Sequence, residues 1–381
     1  MNNLKIRRKI EKIFQDEDGG KKLIKLTCEL IKIKSVSGEE QKIGLFIEKY
    51  LINLGFKTKR QYIQESKKGG NSNKRFNILA GDGEIMFSTH IDTVPDIGME
   101  KAFSPKLVGD KIFGRGSADT KGAIASLLLA LYLFKKLSKK LPKVSLCFTV
   151  DEEEWSSLGS KKISKSINST QAIVIEPTSL EICTKQEGSF EFEILVQTES
   201  AHGSVFELYE NPSKILFEII QKIENKLNKK VSILEICGGW RYYAVPKNSK
   251  ALLEVKIKEG EKLKEIEKNI KAIVEEVKKL KEKSKTKIQF KVLDSEDFIE
   301  FKKGNLSEKI KECMEEIGIQ PKFSVMPSWT DAAEFHKKNI ECVVFGPGDI
   351  QICHTEKEHI RISELEKFTK ILLAFFLKYT F

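Results

Sequence analysis

Histidine is scarce in this chain, five among 381 residues, so each one can be weighed against its neighbours. No run of 18 or more residues is wholly apolar, which argues against a membrane-spanning helix. The seven cysteines, at 28, 147, 183, 237, 313, 342 and 353, are odd in number and widely spaced, and none forms a CxxC pair. That pattern fits neither a disulfide framework nor a thiolate zinc site; it points to reduced thiols and a cytoplasmic protein. The opening stretch MNNLKIRRKIEKIFQDEDGGKK mixes acids with bases and has no apolar core leading to a small-residue cleavage site, so no signal peptide is expected. Internal repeats and low-complexity tracts are absent too.

What the chain does have is 40% hydrophobic residues, enough for a sizeable core, in a length that accommodates two or three domains. Lys and Arg number 66 against 55 Asp and Glu, a formal charge of +11, yet the two signs interleave along the chain. With no basic arm and no aromatic-plus-basic motif, nucleic acid is not an expected partner. A composition rich in Lys, Glu and Ile reads as a solubility or thermal-adaptation signal.

Between Lys22 and Leu54 apolar residues recur at helical spacing in two runs, broken by IKSVSGEE, where Ser37 ahead of Glu39 and Glu40 reads as a capped restart. Short apolar runs then alternate with helical stretches: FNILAG, EIMFSTHID, a helix over Ala123 to Leu137, VSLCFTVDEE and AIVIEPT. That alternation predicts an α/β fold with a mixed, mostly parallel sheet flanked by helices. After Glu187, FEFEILVQ alternates apolar and polar residues, and a helix from Pro212 to Leu227, two strands, a charged helix from Glu261 to Lys283 and KIQFKVL follow. The β-α-β-β-α-β order predicts a ferredoxin-like α+β insert. The domains are thus 1–188 and 295–381, two segments of one α/β domain closing on a helix from Ser363 to Lys378, with 189–294 inserted.

The histidines and clustered acids fall at strand ends. His90 closes a strand in STHIDTVP; Asp92, two residues on, projects to the same side and could accept the imidazole proton while the other ring nitrogen meets a metal. Asp119 in GRGSADTKGA stands before an apolar helix, where an acid can also simply cap. DEEEW follows VSLCFTV directly, and four consecutive acids repel unless solvated or neutralised by a cation. Glu176 ends AIVIEP, and His354 follows the loop GPGDIQIC. Two histidines and several carboxylates at such junctions suit a divalent metal site with N and O ligands.

The ordered set STHIDTVP, GRGSADTKGA, DEEEWSSLGS, EPT, AHGS and GPG…CHTEKE resembles the zinc-dependent exopeptidase and deacylase family of acetylornithine deacetylase, succinyl-diaminopimelate desuccinylase, aminoacylase and carboxypeptidase G, over nearly the whole chain. The resemblance implies two zinc ions per chain, with cobalt or manganese as substitutes. His90, Asp119 and Glu176 would hold one and Asp119, Glu153 and His354 the other, Asp119 bridging. Glu152 would be the general base, with Glu153/Glu154 as the alternative register for base and ligand. Asp92 would orient His90, and a cis peptide would follow Asp119. The insert would act as a lid and dimerisation domain in a homodimer, His202 reaching the partner's active site to stabilise the oxyanion. Asn211 stands where the family has an asparagine opening a helix. His336 and His359 match no motif and are expected at the surface.

The chain departs from the family at the substrate. Two arginines that grip a free carboxylate are replaced, in Glu254-Val255-Lys256 and in Thr330-Asp331-Ala332-Ala333, and the asparagine ahead of Val-x-Pro is replaced by Tyr243. Lys256 and Arg241 are the candidate substitutes for substrate binding, although a lysine lacks the bidentate fork. The expected function is metal-dependent cleavage of the amide bond of an N-acyl amino acid. A dipeptidase or carboxypeptidase of the same family, or a silent metal-binding homologue, is the alternative.

Overall fold

A strand covered on both faces buries every side chain, and the runs around His90 and Thr149 are of that kind: all residues of Ile85–His90 and Ser145–Thr149 are buried, the polar Ser88, Thr89, His90, Ser145 and Thr149 included. The computed structural model describes residues 2–63, 75–153, 157–240, 242–282 and 284–380. They divide into two compact units, one of Met1–Lys185, Glu300–Met326 and Thr330–Phe381, the other of Gln186–Ile299 and Pro327–Trp329.

The first unit is built on a mixed sheet. Its order from one edge is Thr58–Tyr62, Phe76–Ala80, Ser145–Thr149, Ile85–His90, Gln171–Val174, Glu341–Val344 and Ile182–Gln186. The four strands from Ser145–Thr149 to Glu341–Val344 are parallel, and the pairs outside them are antiparallel. The fold class expected from the sequence therefore holds, with the parallel strands at the centre. Helix Gly122–Ser138 is apolar on nearly every side because it is buried. The span Ser117–Ser138 is long and apolar enough to cross a membrane, and 89% of it is buried inside the protein. Phe87 meets Phe375 and Phe376 of helix Ile362–Tyr379 edge-on, at centroid distances of 5.5 and 5.3 Å. A helix over Asn2–Asp16, hidden in the sequence by its mixed charges, sends Ile10 and Phe14 into the same core.

The second unit is a four-stranded antiparallel sheet in the order Ser232–Gly238, Asn248–Ile257, Gly188–Gln197 and Lys287–Glu296. Phe190, Phe192, Ile194 and Val196 point to helices Pro212–Leu227 and Leu263–Leu280, while Glu191 and Glu193 alternate onto the other face. Asn211 caps the first helix: its Oδ1 accepts from the amides of Ser213 and Lys214 at 3.0 and 3.3 Å, and Pro212 pre-sets the first turn. This is the ferredoxin-like arrangement that the β-α-β-β-α-β order predicts.

Truncating either core should be costly. Phe87→Ala is expected to destabilise the first unit by about 3–5 kcal/mol and Ile270→Ala the second by about 2–5 kcal/mol, read from denaturant unfolding followed by circular dichroism.

Candidate metal centre and active site

The central parallel strands deliver their C-terminal ends to one place, the usual location of sites in such sheets. His90 ends Ile85–His90, the turn Asp151–Glu153 follows Ser145–Thr149, Glu176 follows Gln171–Val174, and the loop carrying Gly346 and Gly348 follows Glu341–Val344. Gly346 lies so close to this bundle of strand ends that a Cβ on it would sit 2.5 Å from the Glu176 carbonyl oxygen.

His90 is buried, and its Nδ1 donates to the backbone carbonyl of Asp92 at 3.1 Å, which turns Nε2 toward Asp119. The Asp92 carboxylate, expected to take that proton, stands at 3.6 Å from Nδ1. It is engaged elsewhere: it accepts from Ser37 Oγ at 2.7 Å and from the amides of Glu152 and Glu153 at 3.2 and 3.1 Å. Asp92 thus clamps the acidic turn. Ser37, read from sequence as a helix cap, serves this clamp, and the helix Gln41–Leu54 has no side-chain cap at Glu40.

Asp119 likewise does not cap the helix that follows it. It sits after Gly116, whose φ of 81° favours glycine, and a cis peptide joins it to Thr120. Its Oδ1 lies 2.8 Å from His90 Nε2 and its Oδ2 3.4 Å from His354 Nε2. The backbone here is fixed by Glu358, whose Oε1 accepts from the amides of Ala118 and Asp119 at 3.1 and 3.3 Å while Oε2 accepts from the buried Arg115 at 2.6 Å. Thr120 Oγ1 donates to the His90 carbonyl at 2.8 Å. Arg115 and Glu358 stand inside the motifs GRGSADTKGA and CHTEKEH, yet nothing in one sequence shows that they meet across 243 positions.

Glu153 Oε2 lies 2.9 Å from His354 Nε2, and Glu176 Oε2 lies 3.7 Å from His90 Nε2. Two groups of potential donors result, His90 with Asp119 and Glu176, and Asp119 with Glu153 and His354, each with its donor atoms within 4.8 Å of one another. Glu154, needed for the alternative register, lies outside the described residues.

The electrostatics show what such a cluster demands. Burial raises the Glu176 carboxyl to about 7, and the nearby Asp119 and Asp331 add to this against the pull of His90. Burial also drives Glu152 well above the usual carboxylate range, with Glu176, Asp331 and Glu153 adding to the shift and His90 opposing it. Burial works against the imidazolium of His354, but bonds to Asp119 and Glu153 outweigh it and lift its pKa to about 10. Asp119 is pushed up by burial and pulled further down by His354 and His90, ending below the ordinary range. Histidine protons are therefore the local counter-ions of crowded acids. Two buried oxygens, Glu153 Oε1 and Glu176 Oε1, have no partner among the described residues. Orphaned carboxylate oxygens beside imidazole nitrogens are the donor set of a divalent cation, and the residues fit a pair of such ions.

Asp331 is a participant the sequence reading passed over. It is buried behind the cluster, accepts from Thr149 Oγ1 at 2.8 Å and is raised to about 6, mainly by burial. Its signal was the TDA triplet, noted only for the arginine it lacks.

The remaining candidates lie in the second unit. His202 Nδ1 accepts from the Ser204 amide at 3.2 Å, which makes Nε2 the protonated nitrogen, and its ring stands edge-on to Tyr243 at 5.6 Å. Asn211, as helix cap, also lines a cavity of about 760 Å³ with Phe206, Tyr209, Tyr242 and Tyr243. Lys256 Nζ lies 2.6 Å from Glu254 Oε1, so its charge is already partnered. Arg241 lies outside the described residues. His336 and His359 stay apart from the cluster, but both are partly buried, packed against Phe301 and Phe113.

A model of peptidase family M20/M25/M40 matches residues 86–378. The chain is 27% identical over 366 residues to a [LysW]-lysine/[LysW]-ornithine hydrolase of Sulfurisphaera tokodaii, covering 92% of this chain and 94% of that one. It is also 27% identical over 382 residues to a succinyl-diaminopimelate desuccinylase of Pelagibacter ubique, covering 91% and 96%. In fold it is similar to human carnosine dipeptidase 1, with a TM-score of 0.84 at 17% identity over 97% of this chain and 98% of that one. An M20 family metallo-carboxypeptidase of Sulfolobus solfataricus gives a TM-score of 0.73 at 15% identity, over 93% and 98%. The family read from the motifs is therefore the right one, and the chain belongs to peptidase family M20/M25/M40.

Proposed function

We propose that this M20 peptidase-family member, a metal-dependent hydrolase of amide or peptide bonds, cleaves the amide bond of an N-acylated amino acid. The observation that carries the reading is the pair of ligand groups sharing Asp119, with Glu152 on the adjoining turn held by Asp92. The names of two relatives, one acting on [LysW]-lysine and [LysW]-ornithine and one on succinyl-diaminopimelate, support an acyl-amino-acid substrate. Glutamate at 176 supports a deacylase or a carboxypeptidase-like enzyme over an aminopeptidase, on the resemblance by which the family's acyl-amino-acid members tend to place Glu there and its aminopeptidases Asp.

His90, Asp119 and Glu176 would hold one zinc ion and Asp119, Glu153 and His354 the second. When bound, such a pair supplies Lewis-acid polarisation of the amide carbonyl and lowers the pKa of water toward neutrality. Glu152 takes the proton of the attacking water on its carboxylate and passes it to the departing nitrogen, which leaves as an amine. Asp92 keeps the Glu152 and Glu153 amides fixed during this transfer. His202, protonated on Nε2, donates to the oxygen as negative charge develops there, in our reading from the second chain of a homodimer. Asn211, Arg241 and Lys256 are the substrate-orienting candidates. Seven unpaired cysteines support a reducing, cytoplasmic setting.

The test is metal content measured alongside amine release from N-acetyl and N-succinyl amino acids, including acylated lysine, ornithine and diaminopimelate, and from dipeptides. The expected result is about two metals per chain and metal-dependent release from acyl-amino acids. Release from dipeptides alone would make the enzyme a dipeptidase, and a chain that takes up no metal would overturn the assignment of the centre. Chelation should abolish turnover and added zinc or cobalt restore it. Glu152→Ala should keep both metals while turnover falls about 10²- to 10⁴-fold. His90→Ala should lose metal, and His202→Ala should lower kcat about 10²- to 10³-fold with metal content unchanged.

A further inference from the structure

Behind the turn that carries Glu152 and Glu153 lies a buried ion triad with no part in the chemistry above. Arg75, at the start of strand Phe76–Ala80, places Nε 3.2 and 3.0 Å from the two oxygens of Glu40 and Nη2 2.6 Å from the first of them. The same Nη2 donates to Asp151 Oδ1 at 2.5 Å. Side-chain exposure is 9% for Arg75, 0% for Glu40 and 4% for Asp151, so solvent does little to screen the charges.

We propose that Arg75 is a positioning residue for the catalytic turn: by holding Asp151 against Glu40, its guanidinium sets the placement of Glu152 and Glu153. The inference rests on the di-metal hydrolase reading above. Asp151 has a φ of 70°, a left-handed conformation uncommon outside glycine, which aspartate adopts where its short carboxylate is held by local bonds. Those bonds are Oδ1 to Arg75, and Oδ2 accepting from the Leu158 amide at 3.2 Å. The next two amides, of Glu152 and Glu153, are bound by Asp92. Two carboxylates therefore hold the turn, one tied to Arg75 and the other to Ser37.

Both tethers originate in one segment. Val36 bridges to Thr93, the Ser37 amide donates to the Thr93 carbonyl at 3.3 Å, Ser37 Oγ reaches Asp92, and Glu40 reaches Arg75. The IKSVSGEE loop is thereby a brace between the His90 strand end and the acidic turn. Only a planar fork satisfies two Glu40 oxygens and Asp151 together; a lysine ammonium keeps the charge and loses that geometry.

A second, more exposed pair supplies the control. Arg60 makes a comparable fork to Glu48, from the neighbouring strand Thr58–Tyr62 to the helix Gln41–Leu54 that Glu40 precedes, without touching the turn. Arg75→Lys and Arg60→Lys in the full-length chain should be compared for thermal midpoint, bound zinc, kcat and KM. Arg75→Lys is expected to stay folded, to lower kcat about 10- to 100-fold with KM little changed, and to weaken selectively the zinc that Glu153 would ligate, leaving about one per chain. Glu40→Gln should move the same readouts in the same direction less far, and Arg60→Lys should lower only the thermal midpoint. Two tightly held zinc ions and wild-type kcat in Arg75→Lys would overturn the proposal, as would losses in Arg75→Lys that only track a fallen thermal midpoint. A wild-type chain with neither zinc nor turnover would instead overturn the hydrolase reading and this inference with it.

Discussion

Mutual repulsion among carboxylates is the constraint around which the first unit is arranged. Asp92, Asp119, Glu152, Glu153, Glu176 and Asp331 converge at the ends of parallel strands, where burial removes the water that would otherwise solvate them. Only two imidazoles stand among them. The fold tolerates this because further bonds hold the backbone: Asp92, itself one of the six, on the amides of the acidic turn, Glu358 on those of Ala118 and Asp119, and Arg75 on Asp151. Each of the three is a charged group acting on the peptide backbone or on a neighbouring side chain of the turn, so the clustered side chains are positioned through the backbone that carries them.

The two units solve different problems with different sheets. In the first, a parallel centre buried on both faces gives rigid strand ends, from which loops present side chains in one direction. In the second, an antiparallel sheet keeps one face apolar against two helices and the other populated by Glu191, Glu193, Glu254 and Lys256. Lys256 on that second face is paired with Glu254, and Glu191 is pushed up to about 7 by burial and by the charges of Glu254 and Asp294. That face therefore gathers acids around the partnered Lys256.

Much of this was legible in the sequence because it is local. The strands around His90 and Thr149 are built on short apolar runs, the insert alternates with a period of two, and Asn211-Pro212 opens a helix by familiar capping chemistry. The six motifs brought the ligand candidates together in family order. What stayed hidden is what joins distant positions. Ser37 looked like a cap and is a donor to Asp92; Arg115, Glu358, Glu40 and Arg75 are charged residues that a sequence presents as surface, yet they are buried in pairs. The exact partner of His90 Nδ1 was likewise beyond reach, since a carboxylate and a carbonyl of the same residue compete for it within half an ångström.

The split of the first unit around the insert has a consequence for synthesis. A growing chain presents His90, Asp119, Glu153 and Glu176 early, while Glu341–Val344, the strand that flanks Gln171–Val174, comes only after the whole second unit has been made. His354 and Glu358 come later still, so the brace on the Ala118 and Asp119 amides and one imidazole of the cluster are missing until the segment after the insert has been made. A chain stopped short of His354 would carry His90, Asp119 and Glu176 but neither the second imidazole nor the Glu358 brace.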